Sequence, residues 1–121
     1  MTIKNIRIND TLYTFVCDYR NTRNGFAHDC TLFIHNIEQT RASCFYINRT
    51  WEWYTYQTVM LSTIDNLLTE RSEQLKNTFK NEHGYKKLTA KRKSEFDELL
   101  KSDQVYMDLF AVRDNLLHHV H

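Results

Sequence analysis

Residues His28, Asp29 and Cys30 have the side-chain types of a nucleophilic catalytic site. A histidine can activate a cysteine thiol as a nucleophile, and a carboxylate can orient that histidine. The surrounding pattern predicts a strand, however, and neighbouring residues of a strand point to opposite faces. His28 and Cys30 then share a face that Asp29 does not, so we expect a structural histidine rather than a catalytic pair.

Two more histidines could bind a metal ion, because His118 and His121 lie three residues apart on a predicted C-terminal helix. A zinc site needs at least three protein ligands, and this pair supplies two. The cysteines also lack the close spacing of a zinc ribbon or a redox motif, and we expect free thiols at Cys17, Cys30 and Cys44. The sequence therefore predicts no metal and no cofactor.

We predict that the protein is not an enzyme, because the common catalytic motifs are missing from its sequence. Only Gly25 and Gly84 are available to build a phosphate-binding loop. Glycine-rich nucleotide loops, the G-x-S-x-G nucleophile elbow and the H-E-x-x-H zinc motif do not occur. A formal net charge of +1 also disfavours an acidic DNA mimic, and it gives no overall attraction to nucleic acid.

The length of the chain limits the number of domains, and its hydropathy indicates where in the cell the protein is located. At 121 residues the chain can bury one core, so we predict one domain over residues 1–121. The N-terminal residues lack the apolar region of a secretion signal, and the apolar runs are too short to cross a bilayer. We therefore predict a cytoplasmic protein.

The front half of the chain has the hydrophobic pattern of an antiparallel sheet. Apolar residues alternate over 11–19, 26–34 and 40–47, and 3–8 is a possible fourth strand. Turns are predicted at Asn24-Gly25 and over residues 36–39. These elements predict a meander of three to four strands.

The back half has a helical period. An apolar stripe from Met60 to Phe79 predicts a long helix that stops at His83-Gly84. A short second helix carries Leu88, Phe96, Leu99 and Leu100, and Ser102-Asp103 predicts the N-cap of a third. The stripe of that third helix is predicted to contain Tyr106, Leu109, Phe110, Arg113, Leu116, Leu117 and Val120. Together the two halves predict an α+β fold with three helices packed on one face of the sheet.

Aromatic residues are dense where the chain passes from strand to helix, in the run Y-I-N-R-T-W-E-W-Y-T-Y-Q-T-V-M over residues 46–60. Trp, Tyr and Arg are the residues most enriched at interface hot spots, but the same run could form a core seam behind a helix capped by Thr50. We assign Trp53, Tyr56 and Val59 mainly to that seam. The predicted partner-binding surface contains Arg20 and Arg23 from the hairpin, with Arg49, Trp51, Glu52 and Tyr54 from the junction.

A basic cluster precedes and begins the predicted second helix, at Lys86, Lys87, Lys91, Arg92 and Lys93. One interpretation is a solvated helix face, in which Lys91 faces Glu95 and Lys93 faces Asp97 at helical spacing. The other interpretation is a nucleic-acid contact.

The stretch N-R-T-W-E-W-Y-T-Y-Q-T-V-M, preceded by Y-R-N-T-R-N-G-F-A-H-D-C-T-L-F, resembles a group of small proteins of phages and mobile elements in Gram-positive bacteria. Those proteins share a strand, an N-G-F-x-H hairpin, a second strand, and an N-R-T-W-E-x-[YF]-x-[YF] entry into a helix. The resemblance covers residues 13–68, and Trp53 stands where that pattern has a charged or polar residue.

Small proteins of this origin often inhibit host defence, and anti-CRISPR proteins are among them. The resemblance therefore implies a phage or mobile-element accessory protein that works in the cytoplasm of the bacterial host. It would bind a host defence nuclease, or the guide complex of that nuclease, stoichiometrically. Two other functions stay open from the residues alone: a small nucleic-acid-binding regulator that uses the basic cluster, and an assembly accessory protein of a virion.

Overall fold

The computed structural model describes residues 1–46, 55–84 and 86–118 of the chain. Within these residues, strands come first and helices follow, as the sequence predicts. The elements are β1 (Thr2–Ile8), β2 (Thr11–Thr22), β3 (Gly25–Ile34), β4 (Ile37–Tyr46), α1 (Thr55–His83), α2 (Ala90–Ser102) and α3 (Gln104–His118). The strands form one antiparallel sheet in the order β1-β2-β3-β4. The α+β class is confirmed, and so is the possible fourth strand.

Two-residue turns join the strands. The β3–β4 turn consists of His35 (φ 48°) and Asn36 (φ 66°), and two positive φ angles are what a type I′ turn requires. This turn matches the right-handed twist of the strands that it joins. The predicted turn over residues 36–39 was too long, because Ile37 already pairs with Ile34 in the ladder.

The β2–β3 hairpin also turns one residue earlier than predicted. Thr22 pairs with Gly25, so Arg23 and Asn24 form the tip and Gly25 belongs to β3. The predicted Asn24-Gly25 turn is therefore wrong by one residue. A shift of one residue in the turn changes every cross-strand partner by two positions, and it leaves each side chain on the same face.

The helices pack on one face of the sheet, which we call the inner face. Its fully buried residues include Phe15, Cys17 and Leu32 from the sheet, against Val59 and Ile64 of α1. Leu109, Val112 and Leu116 of α3 complete this core. Helix α1 lies over β2, β3 and β4, while α3 lies beside α1 and reaches β1. The predicted packing of helices on one sheet face is thus confirmed for α1 and α3, while α2 packs on these two helices.

Both predicted helix boundaries in the back half are confirmed. Helix α1 ends at His83, and Gly84 has a left-handed φ of 68° that glycine adopts without strain. At the start of α3, a side-chain oxygen of Asp103 accepts a 2.8 Å hydrogen bond from the backbone N–H of Tyr106. Asp103 is therefore the N-cap that the Ser102-Asp103 pair predicts.

The buried face of α3 differs from the predicted stripe. Phe110 is 48% exposed and Leu117 is 40% exposed, whereas Val112 is fully buried. Apolar residues occur on most sides of this helix, so the hydrophobic period alone does not select the side that meets α1 and the sheet.

The distal half of α1 extends away from the sheet and pairs with α2. At 29 residues, α1 is about 43 Å long, and Leu68 is its last residue in the main core. Farther along, Phe79 stacks on Phe96 of α2, with ring centroids 5.9 Å apart. We call residues 72–102 the helical arm and residues 76–93 the arm tip. No helix in the described part of the chain combines the length and apolarity needed to span a membrane.

Candidate functional site

The face of the sheet that points away from the helices carries exposed apolar and charged side chains together. We call it the open face, because no described helix packs on it. Phe45 is 66% exposed and Ile3 is 53% exposed. Its charged side chains are Arg7, Arg20, Arg41, Asp18, Asp29 and Glu38. Equal numbers of bases and acids on this face indicate a mixed polar surface rather than a phosphate-binding one.

Arg20 is held in place on the open face by partners from two strands. Its Nε donates a 2.7 Å hydrogen bond to Asp29 on β3, and its guanidinium carbon lies 5.1 Å from the centre of the Phe45 ring on β4. Ala27 lies between Arg20 and Phe45 in the register, and it is fully buried. The Arg20 side chain is still half exposed. The guanidinium is thus ordered before any partner arrives, which lowers the entropy cost of binding.

Asp29 fixes this arrangement electrostatically. A hydrogen bond from Arg20 and a second from the Ser43 hydroxyl lower the pKa of the Asp29 carboxyl below its usual range. Asp18 lies directly opposite Asp29 in the register, and like charges in such a pair repel. The terminal amine of Met1, 3.8 Å from Asp18, offsets part of that repulsion. We call Arg20, Asp29, Ser43 and Phe45 the open-face site.

The predicted partner surface lies partly within and partly outside the described residues. Arg20 is on the open face, and Arg23 is exposed at the hairpin tip. β4 ends beside that hairpin, since Tyr46 pairs with Phe26. β4 therefore ends at the end of the sheet that carries Arg20. Residues 47–54 lie outside the described part of the chain. They contain the predicted contact residues Arg49, Trp51, Glu52 and Tyr54. The predicted Thr50 cap and Trp53 of the predicted seam also fall within this range.

The seam assignment is confirmed for two residues of the junction. Val59 is fully buried, and Tyr56 packs against the core, where its ring stacks on His28 at a centroid distance of 4.4 Å. These side chains join α1 to the sheet and are not available to a partner.

Sequence reasoning missed three members of the open-face site, namely Asp29, Ser43 and Phe45. The alternation in β4 already placed Ser43 and Phe45 on one face with Arg41. The missing information is the register between β3 and β4. Only that register places Phe45 beside Ala27, the residue opposite Arg20.

The basic cluster lies in the arm tip. Lys86, Lys87, Lys91 and Lys93 are all exposed. Among the described residues, no ion pair joins Lys91 to Glu95 or Lys93 to Asp97. These lysines are therefore solvated and are not held in ion pairs with the acids one turn away. Such exposed pairs are worth only about 0.3–0.5 kcal/mol, which barely offsets the entropy of fixing two long side chains.

The candidate catalytic residues are separated by the sheet. His28 is fully buried on the inner face between Tyr56 and Phe26, whereas Asp29 belongs to the open-face site. Cys30 lies opposite Cys17 in the core. A hydrogen bond with Cys30, reinforced by burial, raises the pKa of the Cys17 thiol, so this thiol is protonated and a poor nucleophile.

His28 makes stability depend on pH. Burial lowers the pKa of the imidazole, and the nearby Asp29 carboxylate only partly opposes this shift. Below the unfolded pKa of about 6.5, the unfolded chain binds the proton more readily, so stability falls as pH decreases toward the folded pKa. We expect a loss of up to about 1.4 kcal/mol per pH unit in that window, measured by urea denaturation across the pH range.

The variant H28F should flatten this pH dependence, because phenylalanine keeps an aromatic ring beside Tyr56 and cannot titrate. His35→Asn changes an exposed histidine to a residue that tolerates the positive φ of that turn, so it should keep the wild-type slope. Equal slopes in wild type and H28F would contradict the assignment.

Other potential ligand sites are small or incomplete. In the described part of the chain, no group of three or more His, Cys, Asp or Glu residues is arranged to hold a metal ion. His118 bonds instead to the carbonyl and carboxylate of Asp114. A cleft of about 220 Å³ between α1 and α3, lined by Leu68, Thr69, Ser72, Glu73 and Tyr106, is smaller than a typical ligand pocket.

Fold and site together define a four-stranded meander backed by helices, with an ordered Arg–aromatic contact on its open face. Comparisons with protein-family models, with curated proteins and with solved structures gave no match to this chain.

Proposed function

We propose that this protein is a stoichiometric inhibitor that binds another protein through the open-face site. The partner in this proposal is a bacterial defence nuclease or its guide complex, as the resemblance of the N-R-T-W-E stretch implies. The protein would act by occupying a surface that the nuclease needs, and it would catalyse no reaction.

One observation carries the proposal. Phe45 exposes two-thirds of its surface on a strand, and Arg20 is fixed beside it by Asp29. An exposed aromatic ring gains free energy when a partner covers it, and an ordered Arg loses little entropy on binding. Aromatic residues and Arg are also the side chains that most often dominate interface energies.

The chemistry of the open face favours a protein partner over a nucleic acid. Its three Arg and three acidic side chains give no net attraction to phosphate. Interfaces between proteins combine apolar and aromatic centres with a polar rim, and Ile3 and Phe45 among these charges match that composition.

The test is inhibition of target-DNA cleavage by a purified, guide-loaded defence nuclease. Cleavage should fall with added protein and reach its end point near equimolar amounts, because a stoichiometric inhibitor is consumed by binding. Size-exclusion chromatography should show one complex containing both proteins. Inhibition that continues to grow with time at substoichiometric amounts would indicate an enzyme and contradict the proposal.

Phe45→Ala should weaken inhibition at least about tenfold, as expected for a hot-spot aromatic residue. The matched control is Phe110→Ala, which removes a similarly exposed ring from α3, away from the open face. The control should inhibit like the wild type, and both variants should keep the wild-type melting temperature. Loss of inhibition in the control alone would move the interface from the sheet to the helices.

A further inference from the structure

The positive charge of the chain is concentrated in the arm tip. Between Lys76 and Lys93 there are seven Lys or Arg residues against one acid, Glu82, which gives a formal charge of +6. The whole chain has a formal charge of +1, so the remaining residues together carry −5. The near-zero total therefore results from a basic segment and from acids elsewhere in the chain, three of which, Glu95, Asp97 and Glu98, follow it on α2.

The fold separates the arm tip from the acids of the sheet. Phe79 lies eleven residues beyond Leu68, the last α1 residue in the main core, which corresponds to about 16 Å along the helix. The screening length at physiological salt is about 8 Å, so acids on the sheet do little to cancel the field at the arm tip. The nearest acids of α2 begin at Glu95, which pairs with neither Lys91 nor any other described base.

Helix stability does not explain where these cations lie. Lys91, Arg92 and Lys93 occupy the beginning of α2, whose first turn contains no acidic residue. The positive end of the helix dipole disfavours cations there and favours Asp or Glu. Thr89 already caps this helix end with its hydroxyl. The cations therefore oppose the local folding preference, which is typical of residues that serve binding.

We propose that the arm tip binds the phosphate backbone of nucleic acid. Its large exposed side chains among the described residues are polar, whereas Phe79 and Phe96 are buried in the seam of the arm. A membrane-binding basic segment normally adds exposed apolar residues that insert between lipids, and the described part of the arm tip presents none that is large and exposed. Lysines on a narrow helical projection can instead follow a line of phosphates without reading bases.

The test measures binding of the purified protein to a fluorescent DNA duplex and to a single-stranded RNA, both of mixed sequence. Raising salt from about 50 mM to about 200 mM should weaken binding about fortyfold for the duplex and about twentyfold for the single strand if three phosphates are contacted. Binding to either probe with this salt dependence supports the proposal, and the stronger probe identifies the nucleic acid. Absence of binding to both probes at about 50 mM salt would overturn it, as would binding only to vesicles that contain phosphatidylserine.

Two variants of equal net charge test whether binding depends on the position of the lysines or only on the total charge of the protein. The tip variant combines Lys86→Gln, Lys87→Gln and Lys91→Gln, while the control combines Lys4→Gln, Arg7→Gln and Lys101→Gln; each removes three positive charges. The tip variant should bind at least about tenfold more weakly than the control, and equal affinities would overturn the proposal.

A single substitution distinguishes a role of the lysines in nucleic-acid binding from a role in folding. Lys93→Glu places an acid near the start of α2, so it should raise the melting temperature while it weakens nucleic-acid binding. Phe45→Ala should leave nucleic-acid binding unchanged, which keeps this proposal separate from the open-face site. A lowered melting temperature in Lys93→Glu, with binding retained, would assign the lysines to folding.

Discussion

Replacing Phe15 by alanine should lower the free energy of unfolding by about 3–5 kcal/mol. Phe15 is fully buried at the centre of β2, where it contacts the core formed by the sheet, α1 and α3. Alanine removes most of the ring and leaves a cavity that surrounding side chains fill only in part. The loss should appear in urea denaturation as a lower midpoint with an unchanged slope.

The neighbouring residue provides the control for this prediction. Val16 points to the open face and is only partly buried, so Val16→Ala should cost less than about 1 kcal/mol. If both substitutions cost the same, the open face must be covered in solution. That result would also contradict the use of this face for binding in the proposed function.

Replacing Asp103 by alanine should cost about 2–4 kcal/mol, because this carboxylate connects three helices. It accepts hydrogen bonds of 3.0 and 2.8 Å from Arg71 of α1, and it caps α3 through the N–H of Tyr106. It also ends α2, where its own N–H donates to the carbonyl of Leu100. The side chain is mostly buried, so the alanine variant leaves the Arg71 guanidinium without its main acceptor.

A double-mutant cycle with Arg71→Ala isolates the ion pair from the cap. The coupling energy should be about 1–3 kcal/mol, and Asp103→Asn should retain most of the cap while it loses the pair. The hydrogen bonds from Arg71 lower the pKa of the Asp103 carboxyl below its usual range, so the stabilisation is present above an unfolded pKa of about 3.9. It should be lost as pH falls through the folded pKa. A coupling near zero at pH 7 would show that the pair is solvated.

The sheet faces and most helix ends could be predicted from the sequence, because alternation and capping are local signals. Cross-strand partners could not, because they depend on the turn. With the predicted Asn24-Gly25 turn, Arg20 would face Asp29, whereas the observed turn places Ala27 opposite Arg20 and makes Asp29 a diagonal neighbour. The side chains stay on the same face in both registers, so the face of Arg20 follows from the alternation, whereas its alignment with Ala27 and Phe45 follows only from the register.

Two other errors have physical reasons that a single sequence does not reveal. Helix α3 has apolar residues on several sides, and tertiary packing selects Val112 for the core while Phe110 stays exposed. In the arm tip, helical spacing predicts Lys91 beside Glu95, but spacing does not state whether two solvated side chains pair. The net charge of +1 for the whole chain also conceals the charge of the arm tip, since acids elsewhere balance it.

The two-residue turns of the sheet have a kinetic consequence. Each strand pairs with its neighbour in the sequence, so no long loop has to close before the sheet gains contacts. Low contact order of this kind is associated with fast folding, and a chain without proline has no slow prolyl isomerisation step. We therefore expect the meander to form before α3 packs against β1.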